Sequence, residues 1–162
     1  MKYNSEQDTK DHIEKVGSLL KQVDLALCGR VMFHDQSKLT APEKEIFDEF
    51  TPKLKGSTYG SDEYKVFLEE MGVALKHHYQ NNRHHPEHFE NGVDGMTLVD
   101  LIEMICDWKA ATLRHENGDI LKSLDINKER FHLSDQLYQI LKNTVTEMGW
   151  AQLGKILPPE EY

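Results

Sequence analysis

Residues 97–114, "TLVDLIEMICDWKAATLR", carry an apolar arc that covers most of a helical wheel. Thr97 with Asp100 forms a capping signal at the N-terminal end. A helix that is apolar on nearly every side belongs in the middle of a helical packing. One polar strip interrupts it, made by Asp100, Glu103, Asp107 and Arg114. Periodicity slightly favours a solvent-facing strip. If Asp107 is buried there instead, its unpaired charge is costly and a cation would resolve it.

Outward from this segment the chain reads as further helices. In residues 11–30, "DHIEKVGSLLKQVDLALCGR", the side chains His12, Val16, Leu19, Val23 and Ala26 or Leu27 fall on one stripe. A short apolar piece, "RVMFHDQSKL", comes next. Thr40 and Glu43 make a capping box with Pro42 in the first turn, which predicts a helix over about 41–50. The turn-rich 51–61 reads as a loop. Ser61 then caps a helix with Tyr64, Phe67, Leu68, Met71, Leu75 and Tyr79 on one face, ended by a histidine-rich stretch. Pro86 disfavours helix at His85, so 83–91 reads as irregular. Ser134 caps a last long helix to about Met148, with Leu133 and Tyr138 placed for a hydrophobic staple. Strand-like alternation is almost absent. The expectation is one all-α helical bundle spanning residues 1–162 as a single domain.

Composition narrows the function. The chain of 162 residues is 38% hydrophobic and 29% charged, which fits a folded globular protein. Its formal net charge of −9 repels a nucleic-acid backbone, so nucleic acid is not the expected partner. No apolar run approaches a membrane span and no signal-peptide core opens the chain, so a cytoplasmic protein without membrane attachment is expected. Cys28 and Cys106 are too few for a disulfide framework and read as reduced, buried thiols.

Histidine is concentrated unevenly. The stretch "LKHHYQNNRHHPEHF", residues 75–89, carries His77, His78, His84, His85 and His88. By the helical stripe, His78 faces inward and His77 lies on the flank. An inward histidine at a helix end, ahead of a loop with three more, suits a metal or phosphate cleft. His34-Asp35 offers an imidazole nitrogen and a carboxylate oxygen to one cation. His12 sits on an apolar stripe, where a buried histidine needs a partner. Asp107 lies on the polar strip of the central helix. The ordinary alternatives are a helix cap, a satisfied core histidine and solvated loop residues.

The order His, His-Asp, Asp on successive helices resembles the HD-domain superfamily of metal-dependent phosphohydrolases. "VMFHDQSKL" looks like the HD-bearing helix end and "EMICDWKAA" like the helix of the final aspartate. "FHDQSKLTAPE", "TPKLKGSTYGSDEY", "NNRHHPEHF" and "CDWKAA" are similar to a small uncharacterised family of bacterial and phage proteins. The superfamily resemblance implies an HD-domain-like fold and a metal held by His12, His34, Asp35 and Asp107. Extra histidines between the HD pair and the last aspartate resemble the two-metal members, with His78 and His84 or His85 as further ligands. The implied cofactor is one or two divalent ions, drawn from Mn, Fe, Co, Ni, Zn or Mg.

The activity implied by that resemblance is phosphoester hydrolysis of a nucleotide or related small phosphorylated substrate. Metal-activated water would be the nucleophile, with Asp35 and Lys38 as the catalytic residues. Lys38, Lys55 and Arg83 would face the phosphate and Tyr59 would stack on a base. Two other readings stand beside it: a di-iron oxygenase of HD type, and a non-catalytic nucleotide-binding or regulatory protein. A homodimer is a further expectation.

Overall fold

In the computed structural model, which describes residues 4–58, 61–114 and 118–151, the chain is all-helical, with no strand among those residues. Seven α-helices succeed one another: α1 (Glu6–Phe33), α2 (Glu43–Gly56), α3 (Asp62–Glu70), α4 (Gly72–Asn81), α5 (Leu98–Thr112), α6 (Ile120–Phe131) and α7 (Asp135–Glu147). Short 3-10 turns at Gln36–Leu39, Pro86–His88 and Gly92–Gly95 lie between them. No helix among the described residues is long and apolar enough to cross a membrane.

The central helix starts as its sequence dictates. Thr97 Oγ1 accepts the Asp100 amide while the Asp100 carboxylate accepts the Thr97 amide, a reciprocal cap. Met104, Ile105 and Trp108 of α5 then pack with Ile120 and Leu124 of α6, Leu133, and Leu141 and Val145 of α7. Ser134 caps α7 by accepting the Leu137 amide. A second buried set, Phe50, Met71 and Ala74, joins α2 to the α3–α4 corner.

Several sequence expectations change here. The helix after Ser61 breaks at Met71, which ends α3 and starts α4, because the Met71 amide closes a tight turn onto the Phe67 and Glu69 carbonyls. Helix α2 begins without a capping box: its N-cap is Pro42, no side chain caps it, and the Glu43 carboxylate turns inward and is fully buried. The two thiols are free, as expected, but exposed rather than buried. Helix α6, with Asp119 accepting the Leu121 and Lys122 amides, is an element that apolar periodicity did not single out.

Helix α1 is the outlier in packing. None of its residues is buried, and its apolar stripe is open to solvent, with Ile13 64%, Leu19 60% and Leu20 63% exposed. Its last turns hold it to α5: Arg30 donates to Asp100 and Glu103 at 2.7 and 3.3 Å.

Candidate metal centre

The backbone kinks at His34-Asp35, directly after α1. His34 ends the helix and Asp35 takes a left-handed backbone (φ 58°, ψ 12°), a conformation that aspartate tolerates better than most residues. This kink points both side chains toward α4, the loop after it, and α5. His78 comes from α4, His84 and His85 from the loop, and Asp107 from α5. Pro86 keeps that loop from continuing as α-helix.

Four imidazoles present their Nε2 atoms, and two aspartates their carboxylates, to a common space. His78 Nε2 lies 3.3 Å and His84 Nε2 3.5 Å from Asp35 Oδ1. His34 Nε2 lies 3.7 Å from Asp35 Oδ2 and 3.7 Å from Asp107 Oδ1. His78 and His85 bring their Nε2 atoms to 2.9 Å. Two overlapping groups result, Asp35 with His78, His84 and His85, and His34 with His84 and Asp107; within each, ligand atoms lie inside 4.8 Å of one another. His84 belongs to both. Ligands at ~2.1 Å from an ion stand ~3–3.5 Å apart, and these separations approach that.

The outward nitrogens are held by carboxylates. Glu103 Oε1 accepts from His34 Nδ1 at 2.9 Å and from His84 Nδ1 at 3.1 Å. Glu43 Oε2 accepts from His78 Nδ1 at 2.8 Å, and its other oxygen takes His77 Nδ1 at 2.7 Å. A histidine whose Nδ1–H is tied to a carboxylate turns its Nε2 lone pair inward, the arrangement that orients metal-binding imidazoles. His78 and His84 therefore aim acceptors at Asp35 Oδ1, itself an acceptor. Among the described residues, Asp35 Oδ1 and His84 Nε2 are buried without any hydrogen-bond partner. Acceptors facing acceptors are what a cation resolves. The residues present fit a divalent ion.

Electrostatics agree with that fit. Burial opposes ionisation of Glu103, yet the hydrogen bonds from His34 and His84 bring its carboxyl down to about 2. Burial likewise opposes the charge on Asp107 and Asp35, but His34 and Lys38 respectively hold both below the usual carboxylate range. Burial pushes His85 down to about 2 and lowers His78, so both rings are neutral and ready to donate lone pairs. His34 is the exception. Hydrogen bonding to Asp107 and Glu103 raises it to about 10, so a cation entering there displaces a proton.

The other sequence candidates fall in different places. His12 is exposed on α1, 22 residues before His34 on the same unbroken helix, a separation of about 33 Å. It cannot share an ion with His34, so the set of four that the resemblance implied is not assembled; His84, not His12, stands with His34 and Asp107. Arg83 is committed to Asp100 through two hydrogen bonds of 3.1 and 3.0 Å and lies over the Phe89 ring, so it braces the start of α5. Lys38 holds Asp35 Oδ2 at 2.5 Å, leaving Oδ1 for the histidines. Lys38 and Asp35 line a cleft of about 1130 Å³ between α2 and the α5–α6 pair, which Lys55, Arg114 and Lys122 also line. Tyr59 lies outside the described residues. His88 is used structurally, its Nδ1 donating to the Tyr79 carbonyl at 2.8 Å.

Glu43 and Glu103 complete the site without having been singled out from the sequence. Glu43 looked explained by its cap signal. Glu103 had a readable signal, because it lies one turn before Asp107 on the strip of an otherwise apolar helix. Burial of Asp100 and Glu103 settles that the strip faces the protein at these positions.

Fold and geometry together define an all-helical protein with a partly buried histidine–carboxylate cluster that could hold a metal ion. The model of the family of unknown function DUF5662 matches residues 1–147, and the chain belongs to that family. No curated protein and no solved structure matches it.

A divalent ion that satisfied the two orphaned acceptors would stabilise the fold. A divalent ion at about 100 times its Kd should stabilise the chain by ~2.7 kcal/mol, raising Tm by several degrees, and a chelator should reverse the shift. A Tm indifferent to Mn²⁺, Fe²⁺, Co²⁺, Ni²⁺, Zn²⁺ and Mg²⁺ contradicts the metal reading.

Proposed function

We propose that the protein is a metal-dependent phosphohydrolase acting on a nucleotide or a related small phosphoester, of HD-like type but without His12. The observation that carries this reading is the pair of buried, unpartnered acceptors, Asp35 Oδ1 and His84 Nε2, beside a cleft with lysine and arginine on its walls. His34, His78, His84, His85, Asp35 and Asp107 would hold the ion or ions. Bound there, a divalent cation supplies an acidified water and neutralises phosphoryl charge. The chain's own residues do the rest. Glu43 and Glu103 fix the histidine tautomers. Lys38 neutralises one Asp35 oxygen at the cleft wall, within reach of an incoming phosphate. Lys55, Arg114 and Lys122 stand on the cleft wall with Asp48 and Asp119, and these cationic groups would meet an anionic ligand.

The test is turnover of a panel of nucleotides and simple phosphomonoesters and diesters by metal-loaded protein. Release of phosphate or nucleoside that stops with chelator supports the proposal. No hydrolysis of any panel member by protein shown to contain metal contradicts it. A second reading is favoured by one observation, the two overlapping ligand groups that share His84. Six histidine and aspartate ligands also suit a pair of irons and oxygenase chemistry. Anaerobic metal analysis separates the two: two irons with a mixed-valent signal favour the oxygenase, and a single redox-silent ion opposes it.

A further inference from the structure

Helix α1 has an apolar face that the metal site does not explain. It runs 28 residues, about 42 Å, with no buried residue. Ile13, Val16, Leu20, Val23 and Leu27 recur at alternating spacings of three and four, the a and d positions of a heptad pattern. The same line continues into Arg30 and His34, which meet α5, and Leu27 borders an apolar cleft of about 400 Å³ with Ile102 and Ala110. One end of the stripe is thus packed within the chain. The other end exposes Ile13 64%, Val16 39%, Leu19 60%, Leu20 63% and Val23 45%.

We propose that this face is covered by α1 of a second copy, antiparallel across a two-fold axis. In an antiparallel pair each a position meets a d position of the other helix. The register that uses the uncovered stretch sets Ile13 against Val23 of the second copy and Val16 against its Leu20, four apolar layers in all after symmetry. That register carries its own electrostatic match. Lys10 falls opposite Asp24 of the second copy, twice per dimer, and Leu19 opposite its counterpart. It also places Gly17 against Gly17. A Cβ at Gly17 would meet nothing within 4 Å among the described residues, so none of them requires glycine there, although a mid-helix glycine costs about 1 kcal/mol. Close approach of a second helix supplies the reason. A parallel pair in register would instead set Glu6, an a position, against Glu6 and bring the acidic first turns together. The exposed stripe offers on the order of 1,000 Å² over two copies, about the minimum for a specific interface.

Sedimentation equilibrium of the whole chain tests it, with metal content measured alongside so that loss of the dimer and loss of the metal site are told apart. Wild type should be a dimer, and Leu20→Glu should weaken association by at least about 100-fold while leaving helicity and metal content unchanged. Lys10→Asp should weaken the dimer roughly three- to ten-fold, and adding Asp24→Lys should restore it. With Cys28 and Cys106 replaced by serine, Ile13→Cys combined with Val23→Cys should form disulfide-linked dimers under oxidation, and Ile13→Cys alone should not. A wild-type monomer overturns the proposal. So does cross-linking by Ile13→Cys alone, which reports a parallel pair.

Discussion

Asp35→Asn should retain the fold and lose the metal. Asparagine keeps the left-handed backbone at φ 58°, which alanine would strain by about 1–2 kcal/mol, so the substitution isolates the charge. The carboxylate is the one anionic ligand of the group formed with His78, His84 and His85. Replacing it with a neutral amide removes the Coulomb attraction for a cation and leaves the Lys38 ammonium facing the site without its partner. Metal affinity should fall by more than the roughly 100-fold that losing a supporting residue costs, and turnover on any phosphoester that the wild type hydrolyses should vanish with it. Titration with Mn²⁺ or Zn²⁺, then a turnover assay, measures both. Near-wild-type affinity in this variant would remove Asp35 from the centre and the proposed chemistry with it.

Glu103→Ala should damage stability and metal binding together. Its carboxylate takes the Nδ1–H groups of His34 and His84 and the Arg30 guanidinium, inside the protein. Removing it leaves two imidazole N–H groups without their acceptor and Arg30 with Asp100 alone, and breaking buried charge pairs costs about 3–5 kcal/mol. Tm should drop by roughly 10 °C. Freed from Glu103, the two rings lose the tautomer that directs Nε2 inward, and metal affinity should fall roughly 10- to 100-fold. Glu103→Gln retains one acceptor oxygen and should fall between. Calorimetry and metal titration on the same samples decide it. If Glu103→Ala melts and binds metal like the wild type, the supporting role assigned to this carboxylate is wrong.

Legibility from sequence varies by element. The caps at Thr97, Ser61 and Ser134 are readable because each is a local event, a side chain bonding an amide three residues on. The inward orientation of His78 is readable because helical period alone places it. The misassignment of His12 has a physical source: an apolar stripe signals that a face is covered, but not by what, and on α1 none of the described residues buries it. Glu43 shows a related limit. Its spacing from Thr40 satisfies a capping box, yet two histidines 34 and 35 residues later compete for the same carboxylate and win. Local pattern cannot weigh a partner that arrives only on folding. The break at Met71 and the commitment of Arg83 to Asp100 are likewise long-range outcomes.

Six side chains, from the end of α1, from α4 and the loop after it, and from α5, must converge on a cation for the proposed chemistry to operate. Anomalous diffraction from crystals soaked in Mn²⁺ or Zn²⁺ tests this most directly. The predicted result is one or two anomalous peaks, each within about 2.0–2.3 Å of Nε2 or carboxylate oxygen atoms drawn from His34, Asp35, His78, His84, His85 and Asp107, with His84 touching an ion in either case. Fully soaked crystals with no peak at this cluster, or with the ion held elsewhere, would contradict it.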